Sequence, residues 1–112
     1  MGGRSGVGEF EQLVLLVVLR LGDGAFAPEG AAVLEESAGR SVTRGALYST
    51  LNRLDQKGLL TWAPEEPGED RGGHIRRLFS LTDAGLRTVR ERRATMLNLW
   101  SGLESVLDGE GR

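Results

Sequence analysis

Residues 44–58, RGALYSTLNRLDQKG, carry the pattern that decides the fold of this 112-residue chain. An advance of about 100° per residue places the other two leucines of the stretch within about 40° of Leu47, as in a helix with one buried face. Gly58 suits the end of such a helix, and Ser41 and Thr43 are both suitable N-caps. We therefore predict a helix over this stretch, with its leucines in the core.

The opposite face of this predicted helix is polar and has no acidic side chain at its centre. Asn and Gln side chains can bond adenine edges, Arg can bond guanine or phosphate, and a glycine lets the backbone come close to DNA. A plain solvated surface is the alternative, although such surfaces more often mix Glu with Lys. The predicted DNA contacts on this helix are Arg44, Gly45, Tyr48, Ser49, Asn52, Arg53 and Gln56.

A shorter helix before this one completes a helix-turn-helix. Pro28 suits the first helical position and Gly39 the position after the last one. Only the connection 41–43 then separates the two helices, which is the spacing of a helix-turn-helix. Apolar residues from Phe10 to Leu21 predict an earlier helix, although the run 13–19 alone fits a buried strand equally well.

Two strand-like runs, 59–62 and 75–81, flank a loop rich in Pro, Gly and acidic residues. They predict a β-hairpin of the kind called a wing. Basic side chains on wings grip phosphates or enter the minor groove of DNA, and the acidic residues are expected to turn away from the phosphates. A charged loop without a role is the alternative. The basic wing residues are Arg71, His74, Arg76 and Arg77, around Gly72 and Gly73. The predicted DNA contacts on the wing are Arg71, Gly73, His74 and Arg76.

A last helix is predicted after Thr82, a suitable N-cap that precedes Asp83. A heptad seam with one polar interruption runs along it through Leu86, Val89, Arg93, Met96, Trp100, Leu103 and Leu107. This seam is longer than one wing can cover, so it predicts a homodimer contact, with packing inside one chain as the alternative. The earlier helix, apolar on most sides, is expected to share the contact. The predicted ligand or dimer interface residues are Phe10, Val14, Met96, Trp100 and Leu103.

Composition and charge limit the classes of function that the chain can have. The 14 basic and 16 acidic residues give a net charge of −2, yet residues 40–58 and 71–77 each carry +3. A phosphate backbone responds to such local patches and not to the total charge. The chain has no cysteine and one histidine, which excludes disulfides and thiolate zinc sites and nearly excludes a serine triad. No spacing combines a nucleophile, a base and an orienting group, so we expect no enzymatic activity and no cofactor.

Two stretches resemble a known family. Residues 45–60, GALYSTLNRLDQKGLL, look like the recognition-helix signature of the PadR-like transcriptional regulators. Residues 76–85, RRLFSLTDAG, are similar to that family's second wing strand and the start of its C-terminal helix. The likeness covers roughly residues 8–95. It implies a homodimer that binds double-stranded operator DNA, usually as a repressor, with contacts from Tyr48, Ser49 and Arg53 on the helix and from Gly73 and Arg76 on the wing.

The resemblance is to the short subgroup, which has a single C-terminal helix. Some short members bind flat aromatic compounds between the C-terminal helices of the dimer, against a tryptophan, and Trp100 lies at a comparable place. An ordinary dimer contact is the alternative for Trp100. The chain departs from the family in having Phe26-Ala27-Pro28 where many members have a Tyr-Gly pair, and Ser49 where many have proline.

Together these patterns predict a mainly α protein with a small β-hairpin: a winged helix-turn-helix plus a long C-terminal dimerisation helix. The expected divisions are a mobile tail at 1–8, the DNA-binding domain at 9–82 and the C-terminal helix at 83–108. The apolar run near the N-terminus lacks the positive flank of a signal peptide and is too short to span a bilayer, so we expect a cytoplasmic protein without membrane contact. A winged-helix module that binds a protein instead of DNA is the alternative function.

Overall fold

The computed structural model describes residues 6–65 and 76–109. Within these ranges the chain forms four helices of at least 12 residues, a short fifth helix and three strands. In chain order they are α1 (Glu9–Leu21), β1 (Ala25–Phe26), α2 (Ala27–Ala38), α3 (Arg44–Gln56), β2 (Leu60–Pro64), β3 (Arg77–Leu81), α4 (Asp83–Trp100) and α5 (Glu104–Leu107). The predicted winged helix-turn-helix is confirmed.

The core lies where α1, α2 and α3 meet the sheet. Leu15, Leu34, Leu54 and Phe79, one from each of these elements, are almost completely removed from solvent. The run 13–19 is helical and not a strand. A continuous apolar run can form either structure, and here the helix that contains it packs against three other helices and a strand.

The sheet has three antiparallel strands in the order β1-β3-β2. Strands β2 and β3 form the hairpin predicted from the sequence, with Trp62 opposite Phe79. Strand β1 adds an outer pair, Ala25 opposite Phe79, which the sequence analysis missed. Two residues show no alternation, so periodicity could not have found this strand.

The start of α4 packs directly onto the end of the helix-turn-helix. The Thr82 hydroxyl donates to the Gly58 carbonyl at 2.6 Å and accepts from the Gly85 N–H at 3.0 Å, so it caps α4 as predicted. A Cβ atom at Gly85 would overlap the Leu59 carbonyl oxygen. Glycine is therefore required at this position for close approach and not for an unusual backbone angle.

Two predicted boundaries need correction. The C-terminal helix does not run unbroken to residue 108: α4 ends at Trp100, and Gly102 takes a positive φ of 89° before α5 begins. Glycine reaches this left-handed conformation without steric cost and so ends the helix. The predicted mobile tail also extends too far, because Val7 is buried in the core.

Candidate nucleic-acid interface

The outward face of α3 is polar and exposed. Thr43 caps the helix by accepting from the Ala46 N–H at 3.0 Å, which fixes its start. The three leucines 47, 51 and 54 are buried, so the opposite side must face solvent. Exposed there are the predicted contacts Arg44, Gly45, Ser49, Asn52, Arg53 and Gln56. The helical-wheel assignment of the two faces is confirmed.

Tyr48 lies at the edge of this face and not on its centre. Its side chain is half-buried and packs against the core. Together with Arg44 it lines a groove of about 280 Å³ that also includes Pro28 at the start of α2. The groove therefore joins the beginning of α2 to the first two turns of α3.

Arg53 is held by three hydrogen bonds. Its Nε donates to Glu11 Oε2 at 3.0 Å, its Nη1 to Ser49 Oγ at 3.4 Å and its Nη2 to Thr50 Oγ1 at 3.2 Å. Half of the Arg53 side chain remains exposed. The guanidinium group thus lies along its own helix and is tied to α1, while part of it still reaches solvent.

Glu11 is the buried centre of a small charge cluster between α1 and α3. Its side chain is 9% exposed and accepts from Lys57 Nζ at 2.9 and 3.1 Å and from the Gly8 N–H at 3.0 Å. Burial raises the pKa of Glu11, but the hydrogen bonds from Lys57, Gly8 and Arg53 outweigh it and lower the pKa to about 2. The carboxylate is therefore ionised at every ordinary pH.

Sequence reasoning missed this role of Glu11, because Glu11 lies 42 residues from Arg53 along the chain. One local signal pointed to it. A glutamate at the third helical position can bond back to the N-cap N–H, and Glu11 stands three residues after Gly8.

A second cluster connects α3 to the base of the wing. The guanidinium of Arg77 lies 4.8 Å from the ring centroid of Trp62, on the neighbouring strand. Its Nη1 also approaches Asn52 Oδ1 on α3 at 3.5 Å, the limit for a hydrogen bond. Arg77 was noted among the basic wing residues but not among the DNA contacts, and the structure places it beside the exposed face of α3.

The rest of the predicted wing contacts divide into two groups. Arg76 pairs with Glu65 across the base of the hairpin, with Nη2 2.9 Å from Glu65 Oε2, and this carboxylate raises the pKa of Arg76. Arg71, Gly73 and His74, together with the acidic residues after Glu65, lie outside the described residues.

The predicted ligand or dimer residues differ in how far they are exposed to solvent. Met96, Trp100 and Leu103 are exposed, and the first two line a groove of about 280 Å³ with Gln12, Leu16, Val89, Arg93 and Leu97. Val14 is 1% exposed and belongs to the core of its own chain, so it offers no surface to a partner. Phe10 is half-buried beneath the guanidinium of Arg40, 5.2 Å from its ring centroid.

Comparison with known proteins identifies the family. The profile described as the transcriptional regulator PadR-like family matches residues 30–91, more than half of the chain. The chain belongs to the PadR-like family. The matched segment runs from the first turn of α2 through the wing into α4, and so includes the whole exposed face of α3. No curated protein sequence matches the chain.

Solved structures of PadR-like regulators share the fold. A PadR-like transcription factor from Bacteroides fragilis is 26% identical, with a TM-score of 0.73 and 92% of each chain covered. A PadR family regulator from Eggerthella lenta DSM 2243 is 29% identical, with a TM-score of 0.66 over 88% of this chain and 86% of that one. Bacillus subtilis PadR, solved in complex with operator DNA, is 19% identical, with a TM-score of 0.63 over 74% of this chain and 45% of that one.

The family assignment settles the general class of the protein. PadR-like proteins are transcription factors and not enzymes, and this chain is a DNA-binding regulator with the winged-helix fold. Across residues 6–65 and 76–109, none of the helices combines the length and the apolar character needed to cross a membrane.

Proposed function

We propose that this PadR-like regulator is a homodimeric repressor that recognises an inverted-repeat operator through α3 and the wing. The observation that carries this proposal is the exposed face of α3, where hydrogen-bonding side chains stand opposite three buried leucines. Bacillus subtilis PadR, which has the same fold, was solved with operator DNA. A dimer bound at a promoter blocks polymerase without any further contact, which favours repression.

The contacts divide by the chemistry of the side chains. We infer that Asn52 and Gln56 bond to base edges in the major groove, since both carry an amide donor and acceptor. We infer that Arg44, Arg53 and Arg76 bind phosphates or sugars, together with the wing residues Arg71 and His74. The backbone at Gly45 approaches DNA closely, because no side chain intervenes there.

The surface of α4 supports the dimer. Beyond Val89, every described residue of α4 and α5 is at least partly exposed, and these residues include Met96, Leu97, Leu99 and Trp100. Leu16 and Leu19 of α1 add exposed apolar side chains. A contiguous apolar surface of this kind is typical of a protein interface. A two-fold dimer would place its half-sites about one helical turn of DNA apart.

We further propose that the groove beside Trp100 takes a flat aromatic effector in the dimer. Met96, Leu97 and Val89 give it apolar walls, and Arg93 adds a positive charge at one side. Trp62 is also exposed, so quenching should be measured in a Trp62→Phe variant, where Trp100 is the sole tryptophan. Saturable quenching by a planar aromatic such as phenazine, lost in Leu97→Glu, would support the site. Quenching that is equal in both would contradict it.

The DNA proposal is tested by fluorescence anisotropy with duplex DNA from upstream of the gene, at two salt concentrations. Wild type is compared with Asn52→Ala and Gln56→Ala, in the presence of unrelated competitor duplex. Each variant should lose about 1–3 kcal/mol of binding free energy for the operator, because each removes a base contact. Arg20→Ala is the control: Arg20 is an exposed cation in the last turn of α1, and it lines a groove with residues of α1 and α2 only.

Two results would contradict the proposal. The first is equal operator affinity in wild type and in both amide variants. The second is the absence of any enriched sequence after selection from a random duplex library, which would favour a winged-helix domain that binds a protein. Loss of binding in Arg20→Ala would point to a different DNA-binding face.

A further inference from the structure

We propose that Glu11 of α1 is a positioning residue for DNA recognition: it restrains Arg53 and partly neutralises Arg53 and Lys57, and so favours specific over non-specific binding. This inference rests on the proposed role of α3 as the recognition helix. Glu11 itself lies beneath the surface and would contact no DNA. Its effect would pass through two cations on α3.

The hydrogen bonds of Arg53 define the restraint. A guanidinium group has five N–H donors, and Glu11, Ser49 and Thr50 occupy three of them, one on each nitrogen. Two donors are left for DNA, on a group that cannot rotate freely. A bound guanidinium of this kind offers a fixed direction, whereas an unrestrained arginine could reach any nearby phosphate.

The charge of the cluster adds a second effect. Arg53 and Lys57 share one carboxylate, so the three groups together carry +1 and not +2. Lys57 also donates to the Gly6 carbonyl at 3.0 Å, which holds its ammonium group toward α1. The compensating carboxylate is buried, so it lowers the positive charge of α3 without presenting a negative group of its own to the phosphates.

These two effects act differently on the two kinds of DNA binding. Non-specific affinity depends on the number of phosphates that cations neutralise, and it falls steeply with salt. Specific affinity depends in addition on the direction of hydrogen-bond donors at base edges and at fixed phosphates. Glu11 therefore weakens non-specific binding more than operator binding, and its removal should narrow the ratio between the two dissociation constants.

The test compares Glu11→Gln with Glu9→Gln in the full chain. Both substitutions remove one negative charge from the first turn of α1, but Glu9 is exposed. Anisotropy titrations measure the dissociation constants for the operator and for an unrelated duplex between 50 and 200 mM salt. In the proposed dimer two additional effective charges, one per chain, steepen the salt slope by about 1.8, so Glu11→Gln should lose non-specific affinity about 12-fold more than wild type over this range. Glu9→Gln should match wild type.

The double variant Glu11→Gln/Lys57→Gln separates the effect of the local charge from the effect of the restraint on Arg53. It restores the local charge of +1, so its salt slope should return to the wild-type value. Arg53 still lacks its ion pair with residue 11 and keeps only its bonds to Ser49 and Thr50, so operator specificity should stay low. Thermal unfolding followed by circular dichroism confirms that each variant is folded at the assay temperature.

Distinct results would overturn this inference and the proposed function. The inference is overturned if folded Glu11→Gln keeps the wild-type salt slope and specificity ratio, or if Glu9→Gln shifts both equally. The proposed function fails instead if wild type itself shows no preference for the operator.

Discussion

Apolar side chains are mostly buried at one end of this molecule and mostly exposed at the other. In the winged-helix body, formed by α1 to β3 and the first two turns of α4, leucines such as Leu54 are completely buried. In the arm, formed by the rest of α4 and by α5, Leu99 is 66% exposed. The radius of gyration of 16.7 Å exceeds the value of about 13 Å expected for a compact domain of this length. The arm therefore extends away from a body that is already packed.

This difference separates the part of the chain that packs on itself from the part whose surface the proposed dimer would cover. The body buries most of its apolar side chains within one chain, with Leu16 and Leu19 of α1 as exposed exceptions, so its stability should depend only weakly on protein concentration. The arm leaves its apolar surface open to water, so its order should depend on association.

The largest effect is expected from a truncation in the core of the body. Leu54→Ala should lower the free energy of unfolding by about 3–5 kcal/mol, because it removes buried methyl groups and leaves a cavity. Leu99→Ala removes the same atoms from the arm. Its effect should appear only as a weaker dependence of the urea unfolding midpoint on protein concentration. Urea unfolding at several concentrations measures both, and equal losses in the two variants would contradict the division into body and arm.

A charge placed on the arm should separate the dimer without unfolding the body. Leu103→Asp should weaken dimerisation about 100-fold, or about 3 kcal/mol, because it buries an unpaired carboxylate at the interface. Sedimentation equilibrium gives the dimer dissociation constant. Ser101→Asp introduces the same charge on an exposed residue two positions earlier and should change dimerisation far less. If wild type sediments as a monomer at all concentrations, the arm has a different partner.

The sequence predicts the body better than the arm, for a physical reason. The wheel of α3 separates Leu47 from Asn52 because periodicity records burial inside one chain. The seam through Trp100 and Leu103 has the same periodicity, but none of its side chains after Val89 is buried within this chain, so the pattern did not reveal the break at Gly102. Contacts distant in sequence are also invisible to periodicity. This is why Arg53 was predicted as a DNA contact while its bond to Glu11 was not.

The ion pairs that join α1 to α3 through Glu11 should be lost in acid. The hydrogen bond that joins α1 to α4 should not depend on pH. The pKa of Glu11 is lowered from the ordinary 4.5 to about 2 in the folded chain, so its stabilisation is complete above pH 4.5 and disappears as the pH falls toward 2. We expect wild type to lose about 3 kcal/mol relative to Glu11→Gln over this range. The bond from Arg92 to Gln12, at 3.1 Å, has a neutral acceptor.

Urea unfolding between pH 6 and pH 2 measures this difference between the two proteins. Other carboxylates titrate in both proteins and cancel in the comparison. A difference that stays constant with pH would mean that the Glu11 carboxylate does not stabilise the body. Gln12→Ala is the control, because it removes the hydrogen bond between α1 and α4. Its effect on stability should not vary with pH.

The smallest effect is expected from Gly45→Ala, which should raise the stability of the body and lower its affinity for DNA. A Cβ atom at Gly45 would meet no other atom of the chain, and alanine favours a helix over glycine. Gly45→Ala should therefore raise the free energy of unfolding by about 0.5–1 kcal/mol. It should also weaken operator binding, since the new methyl group stands where the backbone approaches DNA. Ser37→Ala, on the exposed side of α2, should give a smaller stabilisation without loss of binding. If Gly45→Ala binds operator as well as wild type does, DNA does not approach the first turn of α3.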